Sequence, residues 1–293
     1  MGKDLYDNFP VAKQIFEEAD AALGFKLSEM CFTGTAEDLA LTTNTQPAIL
    51  TVSVAAVRAM ENESFPLPDY VAGHSLGEYS ALVAANAMSF FDAVKTVRRR
   101  GIYMQEAVPV GTGAMAAILG LDYETVENAC REAANGQVCS PANINSPSQI
   151  VIAGNAEAID RAIEIAKERG AKRAIKLNVS APFHCELMLP AQERLARDLL
   201  EINFSDLSVP IVENISAQEN TSGEKVAEAL TEQVSKPVRW SQSIETLIRN
   251  GVGTFVEVGA GKILSGLVKQ INRDVRCLNV ENSAGLRNAI ETL

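Results

Sequence analysis

The stretch VAGHSLGEYS, residues 71–80, constrains the fold more than any other part of the chain. A short apolar run precedes Gly73, a helix-like run begins at Leu76, and Ser75 lies between Gly73 and Gly77. Strand, G-x-S-x-G and helix together make a nucleophile elbow. Its turn is so sharp that the residues two before and two after the serine crowd the backbone, hence the two glycines. The turn lifts the serine hydroxyl to the edge of a sheet. It also sets the following amides at a helix N-terminus, where a developing oxyanion is favoured.

The flanking sequence fits an α/β protein. Residues 46–60 read as a helix. Ser89 caps a further helix, FFDAVKTVRRRGIYMQEAV, closed by Pro109. Residues 111–180 have another texture. GAMAAILGL reads as a strand, Asp122 caps YETVENACREAAN, and Gly136 follows its end. A strand near QVCSPANIN and a second over SQIVIAG come next. Asn155 then caps AEAIDRAIEIAKER, whose Ile159, Ala162, Ile163 and Ala166 share one face, and Gly170 ends it. In AIKLNVS, Ile175, Leu177 and Val179 alternate with Lys176, Asn178 and Ser180, the period of a half-buried strand. The order βαββαβ is the ferredoxin-like arrangement. It divides the chain into a large α/β part, residues 1–110 and 181–293, and an inserted small part, residues 111–180.

A serine nucleophile needs a base, and the chain has two histidines. His74 adjoins Ser75 on the elbow, so its side chain leaves on another side of the turn, as a packing or hydrogen-bonding neighbour. His184, in SAPFHCELM, is therefore the expected base. A histidine base needs an acceptor to fix its tautomer. No acidic residue announces itself by motif; a backbone carbonyl as the orienter would make the pair a Ser–His dyad.

Composition excludes other classes. The net charge is −11 with no long run of like charge, which argues against nucleic acid, since phosphate binding needs a basic face. No apolar run approaches the ~18 residues of a membrane span, and the opening MGKDLYDNFP has no signal-peptide core. The five cysteines lack metal-ligand spacing and read as reduced cytosolic thiols. GAGKIL at 259–264 is no P-loop, because Ile263 replaces the required Ser/Thr and Val256 the first Gly. GTGAMA at 111–116 precedes its strand, so it is no dinucleotide fingerprint.

Several motifs, AGHSLGEYSAL, RRRGIYMQEAVP followed by GTGAMAAILGL, NINSPSQIVIAG, VSAPFHCELM, KPVRW and FVEVGAGKILSGL, occur in order along essentially the whole chain. Together they resemble the malonyl-CoA:acyl carrier protein transacylases of fatty-acid synthesis. The resemblance implies an α/β-hydrolase-like large subdomain with a parallel sheet, carrying a ferredoxin-like small one. It implies ping-pong transfer of malonyl from coenzyme A to the phosphopantetheine thiol of acyl carrier protein. On this resemblance Ser75 is the nucleophile and His184 the base. The carbonyl of Gln233 orients His184, the Leu76 amide donates to the oxyanion, and Arg100 holds the malonyl carboxylate. Malonyl-CoA is a substrate, and no cofactor or metal is implied. The protein is expected to be a cytoplasmic monomer that meets acyl carrier protein but neither nucleic acid nor membrane. Phe183 before His184, and Leu76 after Ser75, go with malonyl rather than a branched acyl group.

Periodicity bears on the arginine. Residues advance by ~100° along a helix, so Arg98, Arg99 and Arg100 cannot share a face. Val94, Val97, Gly101 and Met104 define a buried stripe; Arg99 lies opposite it, and Arg98 and Arg100 border it. A guanidinium suits a planar carboxylate because its fork bonds both oxygens. Asn143 and Asn145 fit a pantetheine contact or a turn equally well. Docking of an acidic carrier onto an acidic chain calls for a local basic patch. Lys172, Arg173 and Lys176, or Lys262, Lys269 and Arg273, are the candidates.

One departure stands out. The resembled family opens with a strand ending in F-P-G-Q-G, whose glutamine supplies part of the oxyanion hole, whereas MGKDLYDNFP aligns just after it. Two rivals follow: a serine hydrolase or thioesterase with the same elbow, and a non-catalytic protein that binds acyl carriers.

Overall fold

The computed structural model describes residues 1–109, 111–179 and 181–293. Four helices open the chain: α1 (Lys3–Asn8), α2 (Pro10–Leu23), α3 (Leu27–Thr33) and α4 (Ala36–Ala40). The long α5 (Thr42–Asn62) follows and is buried along most of its length despite Pro47 within it. Strand β1 (Val71–Ala72) leads through Ser75 into α6 (Leu76–Ala84). Helix α7 (Phe90–Ala107) then starts at Ser89, whose hydroxyl accepts from Asp92 N–H.

Residues 113–176 build a unit of their own: β2 (Gly113–Leu119), α8 (Tyr123–Ala134), β3 (Cys139–Ser146), β4 (Gln149–Asn155), α9 (Ala156–Glu168) and β5 (Arg173–Lys176). The four strands are antiparallel neighbours in the order β3-β4-β2-β5. The amphipathic faces of α8 and α9 cover one side of this sheet through Val126, Cys130, Ile159 and Ile163. Asp122 caps α8 as expected. Asn155 stands at the first position before α9, but its side chain accepts from Val138 N–H at 2.8 Å instead of capping the helix.

The chain returns through α10 (Leu189–Leu200), β6 (Ile211–Val212), β7 (Glu219–Asn220), α11 (Val226–Gln233) and α12 (Trp240–Arg249). It ends with β8 (Thr254–Val258), α13 (Ile263–Ile271), β9 (Arg276–Val280) and α14 (Ser283–Thr292). The expected parallel sheet is present only in pieces. β1 pairs with β6 in parallel, β7 joins β6 antiparallel, and β8 and β9 form a separate parallel pair. β1 is so short because the backbone leaves the sheet at Gly73 to make the elbow.

The expectation for AIKLNVS holds only in part: β5 ends at Lys176 and Leu177 packs against the cluster of Met115, Ala142 and Val151, but Ile175 is 48% exposed and Val179 42%, where alternation predicts both buried. β5 is the edge strand, and Ala174, opposite Ile118, packs against the core beneath the helices. Ile175 sits opposite Ala117 on the other face, which is covered only nearer the sheet centre by Phe183, Cys185 and Leu187. Ser180, the last residue of that alternating stretch, lies outside the described residues, as does Val110 at the other expected boundary.

Candidate active site

The elbow brings the site together. Ser75 has φ 51° and ψ −104°, a left-handed backbone costly for any residue but glycine. Gly73 makes the turn feasible: a Cβ there would lie 1.9 Å from the Gly77 carbonyl carbon. The crowding is one-sided, since a Cβ on Gly77 meets nothing within 4 Å. The strained peptide is held from both sides. Asn214 Oδ1 accepts from Ser75 N–H at 2.6 Å, and Asn214 Nδ2 donates to Gly73 O at 2.7 Å. Gln233 Nε2 donates to Ser75 O at 3.0 Å.

The hydroxyl of Ser75 lies 2.8 Å from His184 Nε2. His184 Nδ1 is 2.7 Å from the carbonyl oxygen of Gln233, so Nδ1 carries the proton and Nε2 is free to accept one from serine. His184 is buried. Burial first, and the Arg100 charge second, hold its pKa at about 3, so the imidazole is neutral at physiological pH. His74 turns away: its Nε2 is 2.8 Å from Asn145 Oδ1, and its ring packs on Trp240 at 5.6 Å. Asn145 thus lies in β3, tied to the elbow, and not in a turn. Asn143 lies in the same strand.

Of the three consecutive arginines, Arg100 enters the site. It is 2% exposed; Nη2 donates to Ser75 Oγ at 2.9 Å and Gln233 Oε1 at 2.9 Å, and Nη1 to Gln46 Oε1 at 2.7 Å. Arg98 instead donates to Thr43 O and Asn44, and Arg99 pairs with Asp198 at the surface. The Leu76 amide, at the first position of α6, donates to no group among the described residues. No cluster of three or more His, Cys, Asp or Glu among the described residues is placed to hold a metal ion.

Sequence reasoning missed Glu78, Gln46 and Asn214. Glu78 is 3% exposed and accepts from Gln233 Nε2 at 2.5 Å and Asn214 N–H at 3.2 Å. Burial above all raises its pKa to about 8. Only its place one turn after the serine singles it out among 37 acidic residues.

A serine on an elbow, a neutral histidine held by a carbonyl, and a buried guanidinium against the nucleophile define an enzyme class that carries acyl groups as serine esters. The chain belongs to the acyl transferase domain family, whose model matches residues 1–289. It is 51% identical to the malonyl CoA-acyl carrier protein transacylase of Bacillus subtilis, over 100% of this chain and 92% of the relative. It is 47% identical to the protein of that name from Escherichia coli K12, over 98% of this chain and 93% of the relative. The fold matches the solved transacylase of Coxiella burnetii with TM-score 0.98 at 43% identity, over 100% of this chain and 93% of that one. It also matches a malonyl-transacylase solved in complex with a type II PKS acyl-carrier protein, with TM-score 0.98 at 45% identity, covering 100% and 95%.

Proposed function

We propose that the protein transfers malonyl from malonyl-CoA to the phosphopantetheine thiol of an acyl carrier protein through an ester on Ser75. The observation that carries this reading is the convergence on Ser75 Oγ of His184 Nε2 at 2.8 Å and Arg100 Nη2 at 2.9 Å. His184 takes the serine proton as Oγ attacks the thioester carbonyl, and returns it to the departing sulfur of coenzyme A. The oxyanion that forms lies at the N-terminus of α6, within reach of the Leu76 amide. The carrier thiol then reverses these steps. Gln233 contributes its carbonyl to His184, fixing the tautomer.

Arg100 favours transfer of malonyl over simple hydrolysis of esters. A hydrolase has no need of a buried carboxylate clamp, whereas a guanidinium bonds both oxygens of the malonyl carboxylate. We further infer a cytoplasmic monomer working without a cofactor, built of a large hydrolase-like subdomain and a ferredoxin-like insertion at 111–180. Carrier docking falls to Lys172, Arg173, Lys262 and Arg273. The charge of Lys176 is offset by Asp160, and the Lys269 ammonium is already engaged by the carbonyls of Arg273 and Val275.

Intact mass after mixing with malonyl-CoA tests the function. A malonyl adduct on Ser75 that moves to added carrier protein is the expected result. Release of free malonate marks a hydrolase, and no adduct marks a binding protein.

A further inference from the structure

A guanidinium taken out of water needs a counter-charge. Arg100 is 2% exposed, and one carboxylate among the described residues belongs to its hydrogen-bond network. That carboxylate is Glu78. Gln233 links the two: its Oε1 accepts from Arg100 Nη2 at 2.9 Å while its Nε2 donates to Glu78 Oε2 at 2.5 Å. The other titratable groups facing Glu78 are Glu213 after β6 and Tyr79 on α6. Glu213 repels its charge and Tyr79 is held neutral.

A malonyl group changes this balance. Its free carboxylate, paired with Arg100, places a second negative charge on one buried guanidinium, with Glu213 adding to the repulsion. Two carboxylates sharing one such site cannot both stay ionised at low cost. Glu78 has room for the response. It borders a cavity of 10 Å³, about one water in size, which Glu213 and Asn220 also line. The Nδ2 of Asn220 is buried without an acceptor.

We propose that Glu78 is the charge-balancing residue of the site in alkaline solution, ionised there while Arg100 faces no substrate carboxylate and protonated from solvent when the malonyl carboxylate pairs with Arg100. This rests on the reading that Ser75 carries malonyl against Arg100. Glu78 touches no reacting atom and acts through Gln233 and Arg100. The acylation chemistry itself is proton-neutral: the Ser75 Oγ–carbonyl bond forms, the C–S bond breaks, and the serine proton leaves on the coenzyme A thiol. The additional proton is taken by Glu78 from water. Burial holds the Glu78 pKa at about 8 before substrate arrives, so the uptake is largest above that pH.

The test is single-turnover acylation of the protein in weak buffer at about pH 9, with a pH indicator, using malonyl-CoA and acetyl-CoA in turn. Ionisation of the released thiol is common to both and cancels in the difference. The expected result is up to one more proton taken up per Ser75 with malonyl. In addition, KM for malonyl-CoA should weaken up to tenfold per pH unit above about 8, with no such trend for acetyl-CoA. In Glu78→Gln both effects should vanish. Equal proton counts for the two acyl groups in the wild-type protein would overturn the proposal, and this arm needs no variant to fold. A difference that survives in Glu78→Gln would overturn it too. Absence of any malonyl adduct would overturn the functional reading and this proposal with it, whereas equal counts on a formed adduct overturn only the proposal.

Discussion

Arg100 Nη2 donates to the hydroxyl oxygen of Ser75 across 2.9 Å, so cation and nucleophile are in contact before any substrate arrives. The same oxygen lies 2.8 Å from His184 Nε2, so it accepts from the guanidinium while donating to the imidazole. In the proposed reaction an incoming carboxylate competes for Arg100 and frees the oxygen for attack, which would make recognition of the acyl group and release of the nucleophile one event.

That coupling predicts how Arg100→Ala behaves. Removing one partner of a buried charge pair costs ~2–5 kcal/mol, or about 30-fold to several thousand-fold. Malonyl transfer should fall by that range. Acetyl has no carboxylate to strand, and acetyl transfer should fall far less or improve. Transfer rates with the two thioesters check this, and equal losses would make Arg100 structural.

The dyad makes a second prediction. Ser75→Ala should give no acyl adduct by intact mass. His184→Ala should slow acylation by ~10²–10⁴, the usual worth of a positioned base. In residual malonyl transfer to carrier protein, the double variant should be scarcely worse than Ser75→Ala, because the two residues act as a unit. Losses that multiply would show that they do not.

The two buried titratable groups predict a pH dependence of stability. His184 is depressed from 6.5 to about 3, so the unfolded chain binds its proton more readily and stability falls as pH drops below 6.5. Glu78 is raised from 4.5 to about 8, so its contribution is full below 4.5 and is lost as pH rises through 8. Between 4.5 and 6.5 these slopes oppose each other. Relative to Glu78→Gln, the wild-type protein should lose up to ~1.4 kcal/mol per pH unit across 4.5–8 and level off above. Urea unfolding of both proteins from pH 4 to 9 measures the difference. A constant difference would mean that Glu78 does not titrate there.

Which residues meet at the candidate site was legible in the sequence where it is tied to scarce residues or a sharp turn. Two histidines leave few choices of base, and helical period separates Arg99 from its neighbours. Glu78, Gln46 and Asn214 were not legible, because buried acids and amides have the same letters as solvated ones; only tertiary contacts tell them apart. Gln233 was placed through its backbone carbonyl, but not through the side chain that links Arg100 to Glu78. The βαββαβ order was readable from caps and periods, yet the face of β5 was not. An edge strand over a partly covered sheet exposes apolar side chains such as Ile175, and alternation alone does not say which face is inward. Helices α1–α4 went unassigned; the first of them has neither a side-chain cap nor a long apolar period.

The elbow supplies the last prediction, a contrast between its two glycines. An alanine Cβ at position 73 would sit 1.9 Å from both the carbonyl carbon and oxygen of Gly77, and 2.5 Å from Glu78 N. All three are backbone atoms of the turn and the first turn of α6, so no side chain can swing aside. Relief requires moving the strained Ser75 peptide away from Asn214 and Gln233, which breaks hydrogen bonds as well as packing. Gly73→Ala should therefore lose ~3 kcal/mol or more, beyond ordinary overpacking. At position 77 the Cβ meets open space, the backbone is helical, and glycine there is ~1 kcal/mol less favourable than alanine. Gly77→Ala should be neutral or slightly stabilising. Thermal unfolding of the two variants beside the wild-type protein decides it: a large drop in Tm for the first and none for the second is expected. Similar drops for both would mean that the elbow packs against its second glycine as tightly as against its first.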